Sequence, residues 1–124
     1  MDDSPPPFIV FYSPLPAQRA YRQALELVEH VHHVLQHADS ARYHIKDQLE
    51  RTTTELALGT SRAANEDRHQ QWRTYRQMVQ LVNACATLLD ILGKKGCQSD
   101  RLDPARECAR QLTAELLPLA LRDN

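Results

Sequence analysis

The chain has 124 residues, a length that suits one domain with a single buried core. Fifteen basic and 16 acidic residues leave a formal net charge of −1, which excludes a strong overall attraction for nucleic acid or acidic lipid. A local basic patch is still compatible with this net charge. With only three glycines and many strong helix formers, the composition favours an all-helical protein.

Cys85, Cys97 and Cys108 lack CxxC spacing, so we predict reduced thiols and neither a disulfide framework nor a zinc site.

The N-terminal segment SPPPFIVFYSPLP, residues 4–16, places a short apolar run between prolines. The run is too short for a signal peptide or a transmembrane helix. No other stretch of the sequence is long and apolar enough to span a membrane, so we predict a cytoplasmic protein without a membrane span. Residues 1–16 are predicted to form an extended arm before a bundle at 17–124. We expect Phe8, Ile9, Phe11 and Tyr12 to lie on an apolar surface at a subunit boundary. The alternative is a disordered tail.

The first predicted helix runs from Ala17 to Ala38. Its principal apolar stripe follows helical spacing and consists of Tyr21, Leu25, Val28, His32 and Leu35. A second set of apolar residues, Leu27, Val31 and Val34, widens this stripe to one side. So broad a face suits a helix with neighbours on two sides, and we predict that the second set contributes to an oligomer interface.

Three further helices follow. The second is capped at Asp39 or Ser40 and stops at Gly59. The third starts near Asn65 and stops at Gly93. The fourth begins with Asp103 as the cap and Pro104 at the first helical position, and Pro118 is expected to kink or fray its last turns. The sequence therefore predicts an antiparallel up-and-down four-helix bundle.

The stretch HIKDQLERTTTELALGTSR, residues 44–62, carries a family resemblance. It resembles, without gaps, the pattern QLRRA…SI…NIAEGxGR of the 23S rRNA-intervening-sequence family. The register continues to Gly93, and the matching residues of the motif are Ile45, Leu56, Ala57, Gly59 and Arg62. Glu55, Leu58 and Ser61 depart from the pattern. The resemblance implies a non-catalytic bundle that forms rings of five. The similar accessory variability proteins of diversity-generating retroelements bind a reverse transcriptase and nucleic acid through a basic surface.

The stretch ELVEHVHHVLQH places four metal-ligand side chains on one helix face, namely Glu26, His30, His33 and His37. Histidines four residues apart can reach one metal ion, and a carboxylate can complete the set. We predict instead that these are solvated polar residues and that no metal or other cofactor is bound, because one helix supplies few convergent ligands. A metal-binding bundle remains the alternative. His32 is expected on the inner side, in the core or an interface.

Four arginines surround the predicted connection between the second and third helices: Arg62, Arg68, Arg73 and Arg76. They could hold phosphates while Trp72 or Tyr75 stacks on a base. The alternative is ordinary surface charge with both aromatic side chains in the core.

No phosphate-binding loop or catalytic motif occurs, and Cys85 falls within an apolar rhythm typical of a buried thiol. We therefore predict a non-enzymatic, homopentameric interaction or scaffold protein. The second hypothesis is an RNA- or DNA-binding accessory protein whose partner is nucleic acid or a nucleic-acid-processing protein.

Overall fold

The computed structural model describes residues 15–36, 43–97 and 99–121, and these ranges form four α-helices. They are α1 (Leu15–Gln36), α2 (Tyr43–Ala63), α3 (Arg68–Lys94) and α4 (Ser99–Ala120). Each helix packs against its neighbours in the chain, and α4 closes the bundle against α1, so α2 and α4 lie diagonally opposite each other. The predicted all-α, up-and-down four-helix bundle is confirmed. No described helix combines the length and apolar character needed to cross a bilayer.

The core is built from leucines that every helix contributes. Leu27, Leu56, Leu89 and Leu112, one from each helix, are completely buried. Burying each leucine side chain stabilises the fold by about 1.5–3 kcal/mol before the cost of ordering. On α1 the buried positions are separated by three and four residues, which turns one face of the helix consistently towards the bundle axis.

The predicted orientation of α1 is wrong in part. Leu27, Val31 and Val34, predicted to contact a second subunit, are at most 1% exposed and form the centre of the chain's own core. They are therefore unavailable to an oligomer interface. Leu25, placed in the principal stripe, is 42% exposed. His32 is also exposed, and its Nε2 lies 3.1 Å from Nε2 of Gln36, so it is no core histidine.

The N-terminal boundary also shifts. Helix α1 already includes Leu15 and Pro16, so the predicted start of the bundle at residue 17 is two residues late. Pro16 is tolerated because an N–H group in the first turn has no intrahelical acceptor. The predicted arm contacts of Phe8, Ile9, Phe11 and Tyr12 lie outside the described residues, as do the proposed caps Asp39 and Ser40.

Gly59 does not end α2, contrary to prediction. The helix continues to Ala63, and Gly59 lies buried where α2 crosses α3. A Cβ atom at this position would lie 2.6 Å from Cε of Met78 and still closer to its Sδ. The glycine therefore serves the close approach of two helices. Nearby Thr60 is also buried, and its hydroxyl donates to the carbonyl of Leu56 at 2.8 Å, which satisfies a polar group inside the bundle.

Two predicted helix boundaries at the α3–α4 connection are also wrong. Helix α3 passes Gly93 and ends at Lys94, and Gly96 adopts the left-handed conformation with φ 105° that suits a residue after a helix end. Helix α4 begins at Ser99, four residues before the predicted cap. The carboxylate of Asp103 instead forms an ion pair with the guanidinium of Arg106 at 3.4 Å. Arg106 also pairs with Asp90 of α3 at 3.3 Å, which joins the two helices.

Candidate functional site

A surface groove follows the contact between α3 and the C-terminal part of α4. We call it the Trp72 groove. Its lining residues are Trp72, Arg76, Val79, Gln80, Leu117, Ala120 and Leu121. Leu117 and Leu121 are exposed, and Leu121 has 75% of its surface in solvent. Trp72 also lines a second hollow, which includes Pro16, Ala17 and Arg68, so the start of α1 lies near this tryptophan.

The position of Trp72 follows from the start of α3. Asp67 caps the helix, and its carboxylate accepts from the N–H of Gln70 at 3.0 Å. Trp72 lies just after the first turn and is half-buried at the edge of the core. One turn later, the guanidinium carbon of Arg76 lies 4.8 Å from the centre of the indole. A cation–π contact of this kind contributes about 0.5–1 kcal/mol at an exposed site and orients both side chains.

Positive charge is concentrated in the first third of α3. Between residues 68 and 89 there is no acidic residue, whereas Arg68, Arg73 and Arg76 are all exposed. None of these three arginines forms an ion pair within the part of the chain that the structure describes. The groove beside Trp72 is therefore both apolar and basic.

The fourth predicted arginine, Arg62, is separate from the other three. It lies at the end of α2 and pairs with Glu66 at 3.5 Å. Glu66 also accepts from the hydroxyl of Thr74 at 2.6 Å, which fixes the turn between α2 and α3. Arg62 is thus partly neutralised, and it borders a different surface. Of the aromatic pair predicted for stacking, Tyr75 is buried and only Trp72 is partly accessible.

A second candidate surface, with Leu58 as the one apolar residue in its lining, occupies the outer side of α2. We call it the Leu58 face. Its residues are Asp47, Glu50, Arg51, Thr54, Glu55, Leu58 and Arg62. Leu58 is 63% exposed. Arg51 pairs with Asp47 at 3.2 Å. Because both bases of this surface are paired, Glu50 and Glu55 give it a negative character.

The four metal-ligand residues predicted on the first helix do not converge as a set. Among the described residues, Glu26 and His30 lie together with Cys108 of α4, and the donor atoms of all three are within 4.8 Å of one another. His33 belongs to no such group and is exposed, and His37 lies outside the described ranges. The sequence indicated two of the three residues in this cluster, Glu26 and His30. It missed Cys108 because that residue comes from another helix, 78 positions beyond His30 in the chain.

The two buried thiols, Cys85 and Cys108, have low reactivity at neutral pH. Burial raises the pKa of Cys85 to about 12, with a further contribution from the nearby Cys108. Burial likewise raises the pKa of Cys108 to about 12, and the charges of Glu26 and Glu107 add to this effect. Both residues are therefore thiols at neutral pH and poor nucleophiles. The predicted burial of Cys85 is confirmed, and the three cysteines are free.

Comparison of the chain with protein-family models, curated proteins and solved structures finds no match to any of the three. The resemblance to the 23S rRNA-intervening-sequence family therefore stays a prediction that rests on the spacing of residues 44–93.

Proposed function

We propose that this chain is a non-enzymatic interaction module that assembles with copies of itself. The Leu58 face of one copy docks into the Trp72 groove of the next. The observation that carries this proposal is the presence, on one small bundle, of two surfaces of opposite charge that each include an exposed leucine side chain.

The chemistry of the two surfaces is complementary. Leu58 offers an apolar side chain to the wall formed by Trp72 and Leu117. Glu55 stands beside Leu58, and Arg76 stands beside Trp72, so opposite charges would meet around the apolar contact. Tryptophan and arginine are the residue types that most often supply the binding energy of a protein interface.

The two surfaces lie on different sides of the bundle. The Leu58 face belongs to α2, whereas the Trp72 groove includes α4, the helix diagonally opposite α2. A contact between two different surfaces is head-to-tail, and it closes into a ring when the rotation between neighbouring copies permits. The family resemblance implies rings of five, and on that ground we propose a homopentamer.

Native mass spectrometry of untagged protein tests the assembly. We expect the wild type to appear as a multiple of the 14.2 kDa chain. Leu58→Glu places a charge on the proposed contact without touching the core, so it should yield single chains. Leu25→Glu is the matched control, because Leu25 is also an exposed leucine but lies on α1, away from both surfaces. Assembly that survives Leu58→Glu as well as Leu25→Glu would exclude the proposed contact.

A second candidate function is binding of single-stranded RNA or DNA. It is favoured by the acid-free stretch of α3, where Arg68, Arg73 and Arg76 flank a partly accessible Trp72. Phosphates would pair with the arginines while a base stacks on the indole. Fluorescence anisotropy with a labelled RNA oligonucleotide tests this function. If it is correct, affinity falls steeply with salt, and Arg73→Gln lowers the slope of log affinity against log salt by about one. Salt-independent or undetectable binding would reject it.

A further inference from the structure

A metal-ligand cluster lies between α1 and α4, and it is distinct from both surfaces of the proposed assembly. Glu26 and His30 are four residues apart on α1, so their side chains leave the helix on the same side. Cys108 approaches from α4, which packs against α1. We propose that Glu26, His30 and Cys108 together bind one Zn²⁺ ion at this surface.

The spacing of the donor atoms suits a small ion after a modest adjustment. The carboxylate oxygen, the imidazole nitrogen and the thiol sulfur lie within 4.8 Å of one another. Bond lengths of about 2.0–2.3 Å in a tetrahedral zinc site correspond to donor separations of about 3.3–3.8 Å. The donors that are farthest apart therefore need to close by about 1–1.5 Å. Exposed Glu26 and half-buried His30 can both change rotamer, while buried Cys108 keeps its position in the core.

The donor set selects the class of metal. A thiolate and an imidazole favour Zn²⁺ and similar transition metals over Mg²⁺ or Ca²⁺, which prefer oxygen donors. Burial increases from exposed Glu26 through half-buried His30 to buried Cys108, so the ion would enter from solvent past the carboxylate. Three protein ligands leave a fourth position for water, as in zinc sites that keep one position open.

The surroundings of Cys108 determine the chemistry of binding. Its S–H group donates to the backbone carbonyl of Gln23 at 3.7 Å, and the side-chain amide of Gln23 approaches the sulfur at 3.9 Å. That amide also donates to Gln111 at 2.7 Å, which holds it in place. On binding, the sulfur–metal bond forms, the S–H bond breaks and the proton leaves to solvent. The amide N–H of Gln23 remains to donate to the thiolate.

Titration of the untagged, full-length protein with Co²⁺ tests the site, since cobalt occupies zinc sites and a cobalt–thiolate bond absorbs in the near ultraviolet. We expect this absorption to saturate at one Co²⁺ per chain, with one proton released per ion, and Zn²⁺ to displace the cobalt. Cys108→Ser should abolish the band. His30→Gln and Glu26→Gln should each weaken Co²⁺ binding at least tenfold. Because His30 and Glu26 are not core residues, these two variants test the site even if Cys108→Ser unfolds the bundle.

Two control variants make the test specific. His33→Gln removes an exposed histidine one turn further along α1, and Cys97→Ser removes a half-buried thiol outside the cluster. Both should bind Co²⁺ with wild-type affinity and an unchanged band. The proposal is overturned if the wild type shows no thiolate band, if the band survives Cys108→Ser, or if Cys97→Ser or His33→Gln weakens binding as much as His30→Gln. None of these outcomes depends on the oligomeric state.

Discussion

Replacement of Gly59 by alanine tests whether the helix crossing between α2 and α3 is as close as the structure places it. In an open helix, alanine is more stable than glycine by about 1 kcal/mol. At Gly59 the new Cβ atom would lie 2.6 Å from Cε of Met78, closer than non-bonded carbon atoms can approach. Met78 is itself only 2% exposed, so it has little room to turn away. Overpacking of this kind costs about 1–3 kcal/mol.

The two effects together give a defined expectation. We expect Gly59→Ala to reduce the free energy of unfolding by up to about 2 kcal/mol, since the overpacking cost exceeds the gain in helix propensity. In a Met78→Ala background the obstructing atoms are absent, and the same substitution should stabilise the bundle by about 1 kcal/mol. Urea denaturation followed by circular dichroism measures all four proteins of this double-mutant cycle.

An exposed position on the same helix supplies the control. Gln48→Ala changes helix propensity without packing consequences, and it should stabilise α2 slightly in either background. If Gly59→Ala stabilises the wild type as much as it stabilises Met78→Ala, the two helices do not meet closely at Gly59, and the packing argument is refuted.

Three further predictions concern stability. Leu112→Ala should lower the free energy of unfolding by about 2–5 kcal/mol in urea denaturation, whereas Leu25→Ala, at an exposed position, should change it by less than about 0.5 kcal/mol. Asp67→Ala should cost about 1 kcal/mol by the same measurement because α3 loses its cap, and no change would show that the cap is dispensable. The unfolded Cys85 thiol loses its proton near pH 9 and the folded one near 12, so stability should fall with rising pH in this window. In Cys85→Ala that fall should be shallower by up to about 1.4 kcal/mol per pH unit, and an identical slope would contradict the raised pKa.

The number and type of the helices could be predicted because apolar periodicity and caps are local properties of the chain. Core residues such as Leu56 and Leu89 follow directly from that periodicity. The ends of the helices were less predictable. Gly59 has the residue type of a stop signal, but its burial against Met78 depends on a neighbouring helix that local patterns do not include.

The candidate sites show the same limit. The broad apolar face of α1 admitted two orientations, and the structure turns Leu27 inwards and Leu25 outwards. No local sequence pattern connects Cys108 with His30, because only the packing of α4 on α1 brings them together. Similarly, Arg62 and Arg76 are close in sequence but belong to surfaces of different character.

A mixing experiment tests the central claim, the head-to-tail contact between the Leu58 face and the Trp72 groove. Leu58→Glu leaves the groove intact, and Arg76→Glu leaves the Leu58 face intact, so neither variant alone should assemble. Mixed in equal amounts, they retain one functional contact between them. Native mass spectrometry should then detect a heterodimer at twice the 14.2 kDa chain mass and nothing larger. Two single-chain species in the mixture, or rings formed by either variant alone, would contradict the proposed assembly.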